Sequence, residues 1–346
     1  EPRFLRHEEL ESREAELPFA VDSETLRPMF PALSAALGDR AAGTLTLLSR
    51  LVGMECPGRQ SLFSGLSLTV ERENCRQSFT YRVRRSAPAF APVEMEFGGP
   101  DLMGTVSAFF RPSEVSQPKI AALTERVRRG EFSSQRALVV GGSRGLGELT
   151  AKLLAAGGAD VAITYAVGAK DAERVRQEID QYGGSCHVHQ LDVLDPGNSM
   201  RAILADAGGI DAAYYFATPR ITGRRKRAFE PDKLRTFEKY YVDGFADFCS
   251  TLAGLSAQPV TVFYPSTVFI DEQSRDNVEY AMAKSAGEVL GAALTASGAV
   301  RVVSRRLPRM ATDQTSAILK VEVEDSVTVL LESIRAVNAA GGVPGS

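Results

Sequence analysis

The chain has 346 residues, of which 44% are hydrophobic, and its 43 acidic and 40 basic side chains give a formal net charge of -3. This length exceeds what one hydrophobic core usually serves, so two domains are expected. The slightly acidic balance gives no global attraction to nucleic acid, and no apolar run approaches the roughly 20 residues that cross a membrane, so neither partner is expected.

Residues 1–112 are predicted to form an α+β domain. An apolar helix over Ala41–Val52 ends in the glycine- and proline-containing segment Gly53–Gly58. Segments that alternate apolar and polar residues follow it. These predicted strands are Ser61–Arg72, Gln77–Arg85, Val93–Phe97 and Leu102–Arg111. A helix that precedes an antiparallel sheet is an α+β arrangement.

Residues 113–134 are predicted to be a linker and a polar helix, Lys119–Arg129, and residues 135–346 an α/β domain. From Gln135 onward, apolar strands alternate with helices, which predicts a doubly wound parallel sheet with helices on both faces. The predicted strands are Ala137–Val140, Asp160–Tyr165, His187–Leu191, Asp211–Ala217, Val260–Tyr264 and Val300–Val303, and the first two helices are Gly145–Ala156 and Lys170–Gln181.

A glycine-rich turn, Gly141–Gly147, lies between the first strand and the first helix of the second domain. Gly141 permits a tight turn, Gly145 lets the backbone approach a pyrophosphate, and Gly147 lets the helix pack closely. The helix N-terminus then presents free N–H groups to phosphates. The turn therefore predicts a dinucleotide site, whose remaining contact residues are Ser143, Arg144 and Leu146.

This turn resembles that of the short-chain dehydrogenase/reductase family, written TGxxxGxG, with Val140 in place of the threonine. The resemblance extends from Gln135 to the C-terminus and implies a Rossmann fold. It implies that Asp192 and Val193 contact the adenine. Phe216 and Ala217 stand where the family has Asn-Asn-Ala-Gly, so only their backbone contact with the cofactor is carried over.

The expected cofactor is NADP(H). The second strand ends in Ile163-Thr164-Tyr165 without the carboxylate that binds the ribose hydroxyls of NAD. Arg144 in the turn offers a planar guanidinium to a 2′-phosphate.

Tyr280 and Lys284 are the predicted catalytic pair. Their i, i+4 spacing places phenol and ammonium on one helix face. A nearby cation is expected to lower the pKa of the tyrosine so that it passes a proton near neutrality. The spacing and the position after the glycine turn match the family's active-site motif, which implies that Lys284 also holds the nicotinamide ribose.

The resemblance also implies a hydroxyl that orients the substrate oxygen and a loop that covers the nicotinamide. Thr267 has the usual spacing from Tyr280, but Ser266 is adjacent, and both remain candidates. The family's asparagine on the preceding helix is missing around Tyr241–Phe245, where Asp243 is an alternative. The covering loop is expected at Arg309–Ala317.

The first domain resembles the hotdog fold of MaoC-like dehydratases. The matching segments are Leu17–Asp22, Arg40–Gly43, Leu48–Met54 and Phe109–Pro112. Ala20 and Ala42 stand where the family has histidines, and Ala15 where it has an aspartate. We therefore expect a non-catalytic domain that dimerises or grips an acyl thioester; a rearranged working hydratase is the alternative.

Together these features predict an NADPH-dependent ketoreductase acting on a β-ketoacyl thioester or polyketide-type intermediate. A non-catalytic NADP(H)- and acyl-binding scaffold and a bifunctional reductase/dehydratase are the alternatives. Arg224–Arg227 is either a solvated loop or a patch for an acyl carrier protein or coenzyme A phosphates. The four scattered cysteines are interpreted as free thiols, which predicts a cytoplasmic protein without a bound metal. A homodimer or homotetramer is expected.

Overall fold

A computed structural model describes residues 3, 5, 9–59, 61–71, 74–86, 92–110, 116–219, 229–272, 277–310 and 324–342. These residues divide into two compact units, one holding those through Phe110 and the other those from Ser116 onward. None of the helices in these ranges combines the length and apolar character that a membrane crossing requires.

The N-terminal unit is a five-stranded antiparallel sheet with helices between its first and second strands. The sheet has the order β1-β3-β4-β5-β2, so β1 and β2 form its edges. The strands are β1 (Glu14–Pro18), β2 (Ser61–Val70), β3 (Ser78–Arg85), β4 (Val93–Gly99) and β5 (Leu102–Phe110). The helices are α1 (Ser23–Met29), α2 (Pro31–Leu37) and α3 (Asp39–Arg50), and a π-helical turn, Leu51–Glu55, extends α3.

One face of this sheet and the apolar side of α3 form the core of the unit. In β3 every second residue from Phe79 to Val83 is buried, and Met95 and Val106 from the next strands join Leu48 of α3. This period of two is what buries one face of an antiparallel sheet. The sequence patterns located the strands β2 to β5 and the helix α3, whereas β1, α1 and α2 were not predicted.

The C-terminal unit is a six-stranded parallel sheet with helices on both faces. Its order is β11-β10-β9-β6-β7-β8, so the winding direction reverses between β6 and β9. The strands are β6 (Arg136–Val140), β7 (Asp160–Tyr165), β8 (Ser185–Gln190), β9 (Ala212–Tyr215), β10 (Thr261–Thr267) and β11 (Arg301–Leu307). The helices are α4 (Ile120–Leu123), α5 (Gly145–Ala156), α6 (Ala169–Tyr182), α7 (Gly197–Asp206), α8 (Pro231–Glu238), α9 (Gly244–Leu255), α10 (Phe269–Glu272), α11 (Val278–Ala296) and α12 (Ser326–Gly341).

The central strands of this sheet are buried on both faces, as the apolar runs in the sequence predict. In β6, Ala137 and Val139 pack into one hydrophobic cluster, whereas Leu138 and Val140 pack into another on the opposite face. The predicted doubly wound parallel sheet is therefore confirmed. In such a sheet the crevice at the reversal point, outside the carboxyl ends of the strands, is the usual ligand site.

The helix predicted over Lys119–Arg129 is wrong beyond Leu123. The segment forms only the short α4 and then continues in turns. Leu123 and Val127 are buried, and so is Phe132 beyond the predicted helix; the Phe132 N–H donates to the Gly157 carbonyl at the end of α5 at 2.9 Å. Tertiary burial therefore overrides the local helix preference.

Candidate active site

The predicted site residues gather at the carboxyl edge of the parallel sheet. The glycine turn follows β6, and Asp192 and Val193 follow β8. Phe216 and Ala217 follow β9, and β10 ends at Ser266 and Thr267. Because all six strands run in the same direction, these segments share one edge of the unit.

The glycine turn is held against the neighbouring strands by its backbone. Gly141 has a left-handed φ of 78°, and its N–H donates to the Thr164 hydroxyl at 3.3 Å. A Cβ on Gly141 would lie 3.1 Å from the Phe216 carbonyl oxygen. The Phe216 N–H in turn donates to the Val140 carbonyl at 2.8 Å. The turn thus lies directly beside the end of β9.

The start of α5 has the space and polarity that a phosphate group needs. A Cβ on Gly147 would lie 2.2 Å from the Gly141 carbonyl oxygen, so the helix packs tightly against the turn. By contrast, a Cβ on Gly145 would have no atom within 4 Å, and φ there is 61°. No described side chain caps this helix N-terminus. Its free N–H groups and positive dipole end therefore suit an anion.

The other residues of the turn divide into core and surface. Ser143 is buried and Leu146 packs partly into the core, whereas Arg144 is exposed. Beyond β8, Val193 is buried, and the exposed Asp192 uses a carboxylate oxygen to accept the Leu194 N–H at 3.0 Å. Arg144 is therefore the cation that this turn presents to solvent.

A buried ion-pair network neutralises the acidic residue in the first turn of α5. Burial alone would favour protonation of Glu148, but hydrogen bonds from Arg174 and Lys152 lower its pKa below the ordinary value. The Lys152 Nζ lies 2.7 Å and the Arg174 guanidinium 2.8 Å from its oxygens. The Glu148 carboxylate is thus locally compensated beside the proposed phosphate position.

The structure brings Thr267, and not Ser266, to Tyr280. The Thr267 hydroxyl hydrogen-bonds the phenol of Tyr280 and accepts the Phe269 N–H at 3.2 Å. Ser266 is also buried, but its hydroxyl has no hydrogen-bond partner among the described residues, although it contributes to the lowered pKa of Glu288 on α11. Of the two hydroxyls that the sequence left open, that of Thr267 is therefore the one at the phenol of Tyr280.

Lys284 is almost completely buried beneath Tyr280. Only 4% of the residue is exposed, and its Nζ donates to the Pro265 carbonyl at 2.6 Å. The Nζ also lies 4.0 Å from the ring centroid of Tyr241 and 4.8 Å from that of Tyr264. Burial lowers the pKa of Lys284 to about 7, although the Glu288 carboxylate acts in the opposite direction.

The expectation that the pKa of Tyr280 is lowered is wrong for the protein alone. Burial raises the pKa of its phenol above the ordinary value, and the hydrogen bond with Thr267 offsets only part of this effect. The ammonium of Lys284 is directed at the Pro265 carbonyl and lies 5.9 Å from the Tyr280 ring centroid. The tyrosine is therefore protonated at neutral pH and suited to act as an acid.

The sequence did not identify the aromatic residues around this pair. Tyr241 is buried in a π-helical turn, Lys239–Asp243, whereas the alternative candidate Asp243 is exposed. The Tyr241 hydroxyl hydrogen-bonds that of Thr218, just after β9. Its contact with Lys284 depends on a local change of helix geometry, and no motif in a single sequence marks such a turn.

Two predicted features lie wholly or partly outside the described residues. These are the basic segment Arg224–Arg227 and the greater part of the loop Arg309–Ala317. At the start of that loop, the Arg309 guanidinium lies 3.1 Å from Glu272. Within the described ranges, no group of three or more His, Cys, Asp or Glu side chains is arranged to hold a metal ion.

Comparison with known proteins agrees with this geometry in the C-terminal unit. The profile of the short chain dehydrogenase family matches residues 135–223, which include the glycine turn and the end of β9. This region of the chain is related to the short-chain dehydrogenases. A 71-residue segment is 37% identical to the L-rhamnose 1-dehydrogenase (NADP(+)) of Thermoplasma acidophilum. The alignment covers 20% of this chain and 28% of that enzyme, so it spans little more than a quarter of its relative.

Solved structures of short-chain dehydrogenases share the fold of the unit. A short chain dehydrogenase from Burkholderia cenocepacia in complex with NADP aligns with a TM-score of 0.53 and 22% identity, over 62% of this chain and 95% of that one. The landomycin C-6 ketoreductase LanV, with bound NADP and rabelomycin, aligns with a TM-score of 0.52 and 23% identity, over 63% and 95%. At these identities the likeness establishes the Rossmann-type fold.

Proposed function

We propose that this protein is an NADP(H)-dependent oxidoreductase that reduces a carbonyl group to an alcohol. The observation that carries the proposal is the convergence of Thr267, Tyr280 and Lys284 at the same sheet edge as an uncapped, glycine-lined helix N-terminus. An acid, an orienting hydroxyl and a phosphate-sized space are what a hydride-transfer site requires from the protein.

The cofactor assignment rests on the turn and the end of β7. The backbone from Gly141 to Gly147 would hold the pyrophosphate, and the exposed Arg144 would pair with a 2′-phosphate. At the end of β7 the Thr164 hydroxyl accepts a bond from the turn, and no carboxylate is present to repel that phosphate. Asp192, Val193, Phe216 and Ala217 would line the adenine and ribose. When bound, the reduced nicotinamide supplies the hydride.

The chain's own residues supply orientation and the proton. Thr267 donates to the substrate oxygen and so fixes the carbonyl near Tyr280, which gives its phenolic proton to the oxygen as negative charge develops. Lys284 supplies positive charge beneath the tyrosine, which stabilises the phenolate left after the transfer. We assign the orienting role to Thr267 rather than to Ser266, because the Thr267 hydroxyl is the one that lies at the phenol of Tyr280.

For the substrate we propose a β-ketoacyl thioester or a polyketide-type ketone, free or carried by an acyl carrier protein. The support is the resemblance of the N-terminal unit to an acyl-handling hotdog domain. In addition, one structural neighbour, LanV, is a ketoreductase with rabelomycin bound. Ala20 and Ala42 stand where MaoC-like dehydratases have histidines, which favours binding over dehydration there.

We also propose that the N-terminal unit pairs with a second copy through β2. This edge strand has ten residues, Ser61–Val70, without a charged side chain. Its apolar members are 37% to 43% exposed, namely Leu62, Phe63, Leu66, Leu68 and Val70. Free edges usually carry charges or proline that prevent pairing.

The reductase assignment is tested with purified protein, NADPH and a panel of ketoacyl thioesters and free ketones. We expect NADPH oxidation with at least one of them. Tyr280→Phe should reduce kcat by about 10²- to 10⁴-fold, because the acid is removed while the ring and its packing remain. NADPH affinity, measured by fluorescence, should change little.

The other candidate functions give different results in the same experiment. NADPH binding without turnover of any substrate would favour a scaffold. An enoyl product in the mass spectrum would indicate that reduction is followed by dehydration. Tyr280→Phe with undiminished turnover would contradict the assignment of the acid.

A further inference from the structure

Tyr241 lies at an interruption of the long helical segment that crosses the site. Between α8 and α9 the backbone forms a π-helical turn, Lys239–Asp243, a feature that is often associated with functional sites. Two tyrosines from the sheet bind its carbonyl groups: Tyr215 donates to the Tyr240 carbonyl at 2.8 Å, and Tyr264 to the Tyr241 carbonyl at 3.2 Å. Side chains of β9 and β10 thus hold this irregular turn in place.

The Tyr241 side chain contacts both members of the proposed catalytic pair. The Lys284 Nζ lies 4.0 Å from its ring centroid, within the range of a strong cation–π interaction. Its ring also meets the Tyr280 ring edge to face, with 5.6 Å between centroids. The hydroxyl bond to Thr218 fixes the orientation of the ring from the opposite end.

The charged form of Lys284 has few stabilising neighbours. The titratable or charged groups that face it, directly or through Glu288, are Tyr280 and Glu288 on its own helix, Tyr264 on β10, Tyr241 in the π-helical turn and Arg306 on β11. Glu288 is itself paired with Arg306 at 2.7 Å. The ammonium therefore depends on the Pro265 carbonyl and on aromatic faces, of which Tyr241 is the nearest.

We propose that Tyr241 is a positioning residue of the reduction site, whose ring holds Lys284 protonated and in place while Thr218 holds the ring. This rests on the proposed reductase function. Tyr241 does not need to contact substrate or cofactor for this role. Its ring sets the fraction of Lys284 that is protonated, and so positively charged, at a given pH.

The test compares ring-retaining and ring-removing variants, first in the cofactor-free protein. The chain has eight lysines, so lysine 15N NMR resolves the titration of Lys284, with Lys284→Met identifying its signal. Tyr241→Phe keeps the aromatic face but loses the bond to Thr218, so it should change the titration much less than removal of the ring. Tyr241→Leu should lower the ratio of protonated to neutral Lys284 at a given pH by about threefold to thirtyfold.

The same variants should separate positioning from simple structural damage in the activity assay. For Tyr241→Leu we expect the fall in kcat with rising pH to begin at a lower pH, with KM little changed. Tyr214→Leu is the matched control: Tyr214 is also fully buried in the sheet, but it hydrogen-bonds Gln135 and not the site. It should alter stability without moving the pH profile or the Lys284 titration.

Two outcomes overturn the proposal: an unchanged Lys284 titration in Tyr241→Leu, or equal effects of Tyr241→Leu and Tyr214→Leu on the pH profile. If Tyr241→Leu does not fold, pentafluorophenylalanine at position 241 keeps the shape and reverses the charge of the ring face, with the same expected result. Because the NMR titration needs neither cofactor nor substrate, failure of the reductase assignment alone would leave the Lys284 result standing.

Discussion

The two units of this chain each build a core from one sheet and its helices, but they distribute polar groups differently. In the C-terminal unit, Thr267 and Lys284 are buried near the carboxyl ends of the strands, and the uncapped start of α5 lies at the same edge. In the N-terminal unit, the sheet face against α3 is largely apolar, and the hydroxyl of the buried Thr44 on α3 donates to the Pro100 carbonyl at 2.8 Å. Parallel strands all end on one side, so the loops that carry chemistry converge there; antiparallel strands end alternately on opposite sides.

This difference indicates where each unit can act. The C-terminal unit includes a buried lysine, Lys284, which stabilises no core by itself and is typical of functional sites. The N-terminal unit instead exposes an uncharged apolar edge at β2, which is a surface suited to binding another chain. We therefore propose that the C-terminal unit carries the chemistry and that the N-terminal unit binds another chain.

The largest effect is expected from Gly147→Ala. The new methyl group would lie 2.2 Å from the Gly141 carbonyl oxygen, and neither backbone can move without separating α5 from β6. We expect the free energy of unfolding to fall by about 2–4 kcal/mol and NADPH binding to be lost. Urea unfolding and NADPH fluorescence measure the two effects.

Gly145→Ala is the control for that substitution. Its added methyl group meets no protein atom, so only the positive φ is penalised, by about 1 kcal/mol. NADPH binding should still weaken, because the methyl group occupies the space assigned to the phosphate. Equal stability of the two variants would show that close packing at Gly147 is not required.

A smaller effect on the free energy of unfolding, and one of opposite sign, is expected from Lys284→Met. The pKa of Lys284 is about 7 in the folded protein, below its ordinary value of 10.5. Below pH 7 both folded and unfolded states hold the proton, and the folded state carries the full cost of burying it. Between about pH 7 and 10.5 the folded state has released the proton while the unfolded state retains it, so this cost shrinks as pH rises.

The variant should therefore be more stable than the wild type by about 1–4 kcal/mol below pH 7, and this gain should vanish above about pH 10.5. Thermal unfolding of both proteins across this range measures the difference, and reductase activity should be lost. A variant that is less stable at pH 6 would contradict the account of Lys284 as a costly buried cation.

The smallest effect is expected from Leu66→Lys in β2. Two lysines brought together at a paired edge repel each other, so we expect the dimer dissociation constant to rise by roughly tenfold or more. Sedimentation equilibrium gives this constant. Val167→Lys places the same charge at another exposed apolar position and should leave the assembly unchanged. A wild-type protein that is monomeric at all concentrations would rule out pairing through β2.

Local sequence patterns located some of these features closely, and the reason is physical. The bounds of α5 and β7 follow from the sequence because the glycine turn, the apolar strand and the helix start are signals within a few residues. The helix over Lys119–Arg129 failed because burial of Val127 and Phe132 depends on α5, which lies later in the chain. The choice between Ser266 and Thr267 likewise required the position of α11, because adjacent strand residues point in opposite directions.

The π-helical turn at Lys239–Asp243 makes the site sensitive to how many residues the turn contains, as well as to which residues they are. Such a turn contains one more residue than the α-helix around it. Deleting Val242 would restore regular α-helical winding and rotate the preceding side chains, Tyr241 included, by about 100° relative to α9. Tyr241 would then leave Lys284 even though no contacting residue had been exchanged. A one-residue deletion in a helix, which alignments treat as minor, would here amount to the loss of an active-site contact.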